Sequence, residues 1–265
     1  MKIIQLYGAK IPAIGLGTWD LRGSECVQAV MSALEIGYRH LDTAQFYQNE
    51  EEVGKALSQS PVRREDIFLT TKVWPTYLHY QDVIATLGES LRKLRTDYVD
   101  LFLIHWPSLS VPLEETFEAM KVLLEQGKTR YIGVSNFSAE QLEPAYAMAP
   151  APLLTNQVEY HPLLSQKEIL QFCQKHEMFL TAYCPLVRGR SLQNTIIKDI
   201  ASKYGKSIAQ VTLRWFIQQE KVVAIPKALR PEHQKENIEI FDFELNEDEM
   251  KAISHLDRGE RVVTG

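Results

Sequence analysis

The sequence has few cysteines, no long apolar run and no block of like charge, and each shortage removes a class of protein. Its three cysteines, Cys26, Cys173 and Cys184, form an odd set without CxxC spacing. Neither a disulfide framework nor a zinc knuckle follows, and the thiols are expected to be packing residues. The opening MKIIQLYGAKIPAIGLG is apolar only briefly, broken by Gly8, Lys10 and Pro12. That argues against a signal peptide or a spanning helix, so a cytoplasmic protein without a membrane partner is expected. The net charge of -5 comes with no long basic run, which argues against nucleic acid and leaves a small molecule as the expected partner. No linker or low-complexity stretch divides the chain, and 45% hydrophobic residues are enough for one large core. Residues 1–265 are therefore expected to form one domain, working as a monomer.

What the sequence has instead is a series of eight short apolar runs. They are IGLGTW at 14–19, YRHLDT at 38–43, IFLTTKVW at 67–74, YVDLFLIHW at 98–106, RYIGVSN at 130–136, LLTNQVEY at 153–160, FLTAYCP at 179–185 and VVAIPK at 222–227. Each is too short for a helix, several are continuous rather than alternating, and most are separated by segments of helical periodicity. That is the pattern of parallel strands covered on both faces. Capping boxes mark helix starts at Ser138 with Gln141, Ser165 with Glu168, Ser207 with Gln210 and Asn246 with Glu249. Eight strands alternating with helices close into an α/β fold, a (β/α)₈ TIM barrel, more naturally than into an open doubly wound sheet. The segment KIIQL-YG-AKIPAI lies outside the repeat and reads as a β-hairpin, expected to plug the bottom of the barrel.

Catalytic groups of such barrels sit at the carboxyl ends of strands and in the loops that follow. Asp42 ends the second run, Tyr47 lies five residues on, Lys72 ends the third run and His105 the fourth. A tyrosine is a weak acid near neutral pH, but a neighbouring ammonium favours the phenolate and lowers its pKa. Lys72 can supply that charge, Asp42 can hold the lysine charged and oriented, and a neutral His105 can hydrogen-bond a substrate carbonyl. Each residue alone has a plainer reading, as a cap, a packing ring, a rim charge or a core histidine. All four at successive strand ends are harder to explain that way.

With these residues in view, the chain resembles the aldo-keto reductases, and within them the short bacterial 2,5-diketogluconate reductases. The matching stretches are GLGTW at 15–19, DTAQFYQNEEEVG at 42–54, TKVWP at 71–75, DLFLIHWP at 100–107, IGVSNF at 132–137, NQVEYHP at 156–162, AYCPL at 182–186 and IPKALRPEHQKEN at 225–237. The resemblance implies reduction of aldehydes and ketones, dicarbonyls or keto-sugars among them, by hydride transfer from NADPH. It makes Asp42, Tyr47, Lys72 and His105 the catalytic tetrad, with Tyr47 as proton donor. It assigns Ser135, Asn136 and Gln157 to the nicotinamide carboxamide, Tyr183 to the face of the ring and Leu186 to the cofactor site. It brings Lys227, Ala228 and His233 to the adenosine phosphate and Glu236 and Asn237 to the adenine. Trp19, Phe46, Trp74 and Trp106 become walls of the substrate cleft.

Two departures from the family pattern carry expectations of their own. Relatives read IPKS and carry an arginine six residues past the lysine, where this chain has Ala228 and His233. Losing a hydroxyl and a guanidinium should narrow the NADPH preference so that NADH is also used, with the NADPH advantage growing as pH falls and His233 gains its proton. Little sequence follows LDRGERVV at 256–263, so no long lid is expected and substrate selection should be loose. GLGTWD at 15–20 lacks the third glycine of GxGxxG, which disfavours a Rossmann mode of binding. Two rival functions are a metal-dependent barrel hydrolase using His40, Asp42 and His105 as ligands, and a non-catalytic cofactor-binding subunit of the same fold. Neither explains the other matching stretches as well, and no metal is expected.

Overall fold

The computed structural model describes residues 2–187 and 194–263. Strands β1 (Ile3–Leu6) and β2 (Ala9–Pro12) pair antiparallel, with Ile4 opposite Ile11 and Leu6 opposite Ala9. The turn between them holds Tyr7 at φ 49° and Gly8 at φ 83°, the two left-handed residues that a type I′ hairpin turn requires.

Eight parallel strands follow in one sheet whose order is the order of the chain. They are β3 (Leu16–Gly17), β4 (His40–Asp42), β5 (Phe68–Val73), β6 (Val99–Ile104), β7 (Thr129–Ser135), β8 (Leu153–Glu159), β9 (Phe179–Tyr183) and β10 (Val222–Ala224). Each falls on one of the eight apolar runs. Most are shorter than their run because the trailing residues, Trp19, Thr43, Trp74 and His105 among them, leave the ladder for the loops. The sheet curls into an α/β barrel as the first strand region meets the last: Gly15 N donates to Ala224 O at 2.9 Å, Ala224 N to Ala13 O at 2.9 Å and Gly17 N to Pro226 O at 3.1 Å. A Cβ at Gly17 would lie 2.7 Å from Ile225 O and one at Gly15 only 2.8 Å from the His40 ring. The two glycines of GLGTW thus serve close packing of backbone at this seam rather than a phosphate loop.

The helices are α1 (Gly23–Ile36), α2 (Glu50–Gln59), α3 (Tyr80–Leu94), α4 (Leu113–Glu125), α5 (Ala139–Met148), α6 (Lys167–Lys175), α7 (Thr195–Tyr204), α8 (Ile208–Gln218), α9 (Pro231–Ile238) and α10 (Glu247–Ser254). Several bury an apolar stripe against the sheet; on α3, which packs on β5, the stripe is Val83, Leu87, Leu91 and Leu94. Three expected capping boxes are formed, at Ser138, Ser207 and Asn246. The fourth is not: α6 begins after Gln166, with no side-chain cap. Gln166 instead donates from Nε2 to Glu159 O at 2.5 Å, and Ser165 N donates to the Asp257 carboxylate at 2.9 Å. A tertiary partner has taken the Ser165 N–H that a box would use.

Ile4, Leu6, Ala9 and Ile11 of the hairpin share one apolar cluster with Phe68, Leu101, Leu154, Phe179 and Val223, which stand at or near the starts of their strands. Burying each of the larger side chains contributes about 1.5–3 kcal/mol. The amino-terminal half of the interior is therefore apolar and packed, and the polar interior residues collect toward the carboxyl ends. No helix among the described residues is long and apolar enough to cross a membrane.

Candidate active site

Asp42 closes β4, Lys72 is the fifth residue of β5, and Tyr47 ends a single 3₁₀ turn, Gln45–Tyr47; His105 follows β6 directly. The Lys72 ammonium donates to Asp42 Oδ1 at 2.5 Å, to Thr43 O at 2.8 Å and to Tyr47 Oη at 3.2 Å. An ammonium has three N–H donors, so all are used, as a fully buried cation requires. Burial alone would push the Lys72 pKa down, but the adjacent Asp42 and Tyr47 outweigh it and hold the group above its ordinary value. The ammonium stays charged inside the barrel.

Tyr47 departs from the sequence expectation in one respect. Lys72 does favour its phenolate, but desolvation of the buried ring is the larger effect, so the phenol lies above the ordinary tyrosine pKa rather than below it. Tyr47 is held by its loop. Asn49, buried beneath, accepts from Thr43 Oγ1 at 2.9 Å and donates to Thr18 O at 2.8 Å and Leu21 O at 3.1 Å. Arg22 donates to the Tyr47 carbonyl.

His105 is buried, and desolvation followed by the nearby Lys72 charge drives its pKa down to about 2. Its imidazole is neutral at any ordinary pH. Its Nδ1 has no hydrogen-bond partner among the described residues, and its backbone oxygen accepts from Asn136 Nδ2 at 2.9 Å. His40, by contrast, faces the hairpin, with Nδ1 3.3 Å from Pro12 O and its ring edge-on to Phe68. Among the described residues no group of three or more His, Cys, Asp or Glu is arranged to hold a metal ion.

Three of the four expected wall aromatics form a ladder. Trp19 stacks on Phe46 with centroids 5.9 Å apart, and Phe46 on Trp74 at 3.8 Å; Tyr47 and His105 meet the ladder edge-on. Trp19 and Phe46 are each 42% exposed, so part of the ladder is open to a ligand. No ring contact joins Trp106 to this ladder among the described residues. Trp106 lines a cavity of about 530 Å³ with Asn136, Val158, Gln166 and Arg261.

Ser135, Asn136, Gln157 and Tyr183 gather at the ends of β7, β8 and β9. Asn136 adopts φ 64°, which turns its amide back over the rim. That amide donates to His105 O and Ser135 Oγ and accepts from Tyr183 Oη at 2.9 Å. Ser135 Oγ donates to Gln157 O at 2.8 Å, and Gln157 Nε2 donates to Asp42 Oδ2 at 2.7 Å. The last contact, which the sequence did not signal, ties this group to the Lys72 cluster.

The 225–237 stretch lies at the barrel seam. Pro231 opens α9, as expected, and no side chain among the described residues caps its first turn. Lys227 is 3.6 Å from Asp20. Ala228 is buried, and its carbonyl accepts from Gln234 Nε2 at 3.0 Å. His233 Nε2 lies 2.8 Å from Arg230 Nη2, so a guanidinium stands beside the histidine. Arg230 is a further basic residue here that no motif singles out, although its place three residues before His233 puts the two on one side of a helix start. Asn237 is buried beside the Tyr38 phenol, Glu236 is half-buried beside it on the same helix, and Leu186 packs against the main core three residues past β9.

The segment 256–263 forms no long lid among the described residues, in line with its length, yet it is tied down. Short as it is, it folds back onto the rim: Val262 N donates to the buried Glu159 carboxylate at 2.7 Å and Val263 N at 3.3 Å, while His161 Nε2 lies 3.0 Å away. Arg258 and Glu260 donate their backbone N–H groups to Leu163 O. Arg261 is thereby held on the wall of the Trp106 cavity. The buried acid in NQVEYHP was the available signal.

This geometry has close parallels. Residues 13–258 match the family model described as Aldo/keto reductase family. A glyoxal reductase of Bacillus subtilis is 42% identical over 256 residues, covering 96% of this chain and 92% of the relative. A solved structure assigned provisionally as a 2,5-diketo-D-gluconic acid reductase B has a TM-score of 0.98 and 44% identity, covering all of this chain and 95% of that one. A Bombyx mori aldo-keto reductase in complex with NADP has a TM-score of 0.92 and 34% identity, covering 99% of this chain and 95% of that one. The chain belongs to the aldo/keto reductase family of oxidoreductases.

Proposed function

We propose that this protein reduces aldehydes and ketones to alcohols with NADPH, and less efficiently with NADH, with Tyr47 as proton donor. The observation that carries the reading is the buried chain Asp42–Lys72–Tyr47 beside a neutral His105. When bound, the reduced nicotinamide supplies a hydride to the carbonyl carbon. Tyr47 Oη gives its proton to the carbonyl oxygen, and the Lys72 ammonium stabilises the phenolate left behind. The raised phenol pKa keeps this proton in place until the oxygen acquires alkoxide character and becomes the stronger base. His105 has one N–H to orient the carbonyl and no second proton to give. The hairpin plugs the opposite end of a single barrel domain, so the chemistry has one mouth.

The residues present fit a nicotinamide cofactor. Gln157 Oε1 accepts no hydrogen bond among the described residues, and Lys227, Arg230 and His233 gather basic groups at the start of α9. In this reading Ser135, Asn136 and Gln157 hold the carboxamide, Tyr183 faces the ring with Leu186 nearby, and Glu236 and Asn237 meet the adenine. Lys227, Arg230, His233 and the Ala228 backbone meet the 2′-phosphate. The open ladder of Trp19, Phe46 and Trp74 favours small aldehydes and dicarbonyls, in keeping with the relative named glyoxal reductase, with Trp106 on the wall of the cavity that Asn136 also lines. Purified protein should consume NADPH with glyoxal-type dicarbonyls and aromatic aldehydes and yield the alcohol. Cofactor binding without turnover on any such carbonyl would overturn the reading.

A further inference from the structure

One hydrogen bond joins the proton-donor cluster to the carboxamide group of residues: Gln157 Nε2 to Asp42 Oδ2, 2.7 Å, between side chains that are both almost fully buried. Asp42 divides its oxygens, Oδ1 to Lys72 and Oδ2 to Gln157. A carboxylate only accepts, whereas an amide has a donating and an accepting end of nearly the same shape. The contact therefore fixes which way the Gln157 amide lies. Nitrogen faces Asp42, and Oε1 is left as an acceptor with no partner among the described residues. Turned by 180°, the amide would set one oxygen against another inside the barrel, at the cost of a buried lost hydrogen bond and a repulsion.

We propose that Asp42 is a positioning residue for the cofactor as well as the partner of Lys72. By holding Gln157 Nε2 it makes Oε1 an obligate acceptor, and so selects the N–H side of the nicotinamide carboxamide. The inference rests on the cofactor reading above. It assigns Asp42 a task in binding that is separate from proton transfer, carried through Gln157. The coupling is reciprocal: an N–H bound at Oε1 polarises the amide and tightens its grip on Asp42.

The test is equilibrium binding, read by quenching of protein fluorescence, with NADP⁺ and with its analogue in which a methyl ketone replaces the carboxamide. The analogue keeps the carbonyl and lacks the N–H. Wild type should bind it about ten-fold more weakly than NADP⁺, the worth of one well-placed hydrogen bond. In Gln157→Met the two affinities should converge to within about two-fold, through weaker NADP⁺ binding. Asp42→Asn should narrow the ratio as well, because its Nδ2 can face Gln157 and turn Oε1 inward. The ratio is insensitive to any general loss of affinity in that variant. Equal binding of both ligands by wild type overturns the inference without any variant, and so does full discrimination retained in Asp42→Asn. Failure of wild type to bind NADP⁺ at all would bring down the functional reading itself, a result distinct from either.

Discussion

Lys72 and Lys227 both stand at the carboxyl-end rim of the barrel, in opposite physical settings. Lys72 is fully buried, with every N–H donor used and its charge held by Asp42 at 2.5 Å. Lys227 is 44% exposed and faces an exposed Asp20 at 3.6 Å, and its neighbours Arg230 and His233 are exposed too. In water such pairs are screened and contribute about 0–1 kcal/mol. A buried pair is interdependent, and removing one partner strands the other. The first cluster should therefore fail as a unit, whereas the second should lose affinity one group at a time.

The hardest blow to that contrast is Lys72→Met. It leaves Asp42 buried without its cation, so stability should fall by about 3–5 kcal/mol. Turnover should drop by roughly 10³-fold or more as the phenolate loses its stabilising charge. Denaturant melts and steady-state rates read the two effects. Lys227→Met should leave the melting midpoint almost unmoved, and equal destabilisation of both variants would erase the distinction.

Tyr47→Phe comes next, because it removes the proton and leaves the ring. Reduction should fall by about 10²–10⁴-fold while the cofactor dissociation constant changes by less than about two-fold. Near wild-type turnover would take Tyr47 out of the donor role. A large loss of cofactor affinity would mean that the cluster is coupled to binding through the phenol rather than through Gln157.

At the exposed cluster the effects should be smaller and separable. Arg230→Met should weaken NADPH binding about ten-fold, the worth of one charge-assisted contact, and leave NADH binding alone. High salt should shrink the difference, since exposed charges are screened. His233→Arg should strengthen NADPH binding by a few-fold. Titrations of both cofactors at two ionic strengths measure all of this. Parallel changes for NADPH and NADH would place these side chains away from the 2′-phosphate.

The same division explains what could be read from the sequence. Strands buried on both faces write themselves as apolar runs, and so all eight were legible, as were the hairpin with its Tyr7–Gly8 turn and the placement of Asp42, Tyr47, Lys72 and His105 at strand ends. Contacts between such residues were not. The link from Gln157 to Asp42 spans 115 positions, and nothing local marks it. Burial misled in the same way: the expected lowering of the Tyr47 pKa counted the ammonium and not the desolvation that outweighs it. The missing cap at Ser165 and the fold-back of 256–263 onto Glu159 were likewise decided by distant partners.

The smallest expected effect is a pH response that should be nearly absent. An exposed histidine titrates near 6.5, and if His105 behaved so, reduction would change as pH fell through that value and the imidazole gained a charge beside Lys72. Burial and the Lys72 charge instead hold its pKa at about 2, so the neutral form persists through the whole range in which the protein is handled. Tyr47 acts in its protonated form. With its pKa raised above the ordinary tyrosine value of about 10, it begins to lose the proton only in more alkaline solution. Turnover in the reducing direction should therefore vary by less than about two-fold between pH 5.5 and 9 and decline only above about 10. In Lys72→Met, the acid side should stay flat for His105, which loses a repelling charge but remains buried. The alkaline decline should move higher still, because the group that favoured the phenolate is gone. A profile of kcat against pH in both proteins measures this. An acid limb near 6.5 in wild type would make His105 an ordinary, solvated histidine, and an alkaline limb unmoved by the lysine change would uncouple Tyr47 from Lys72.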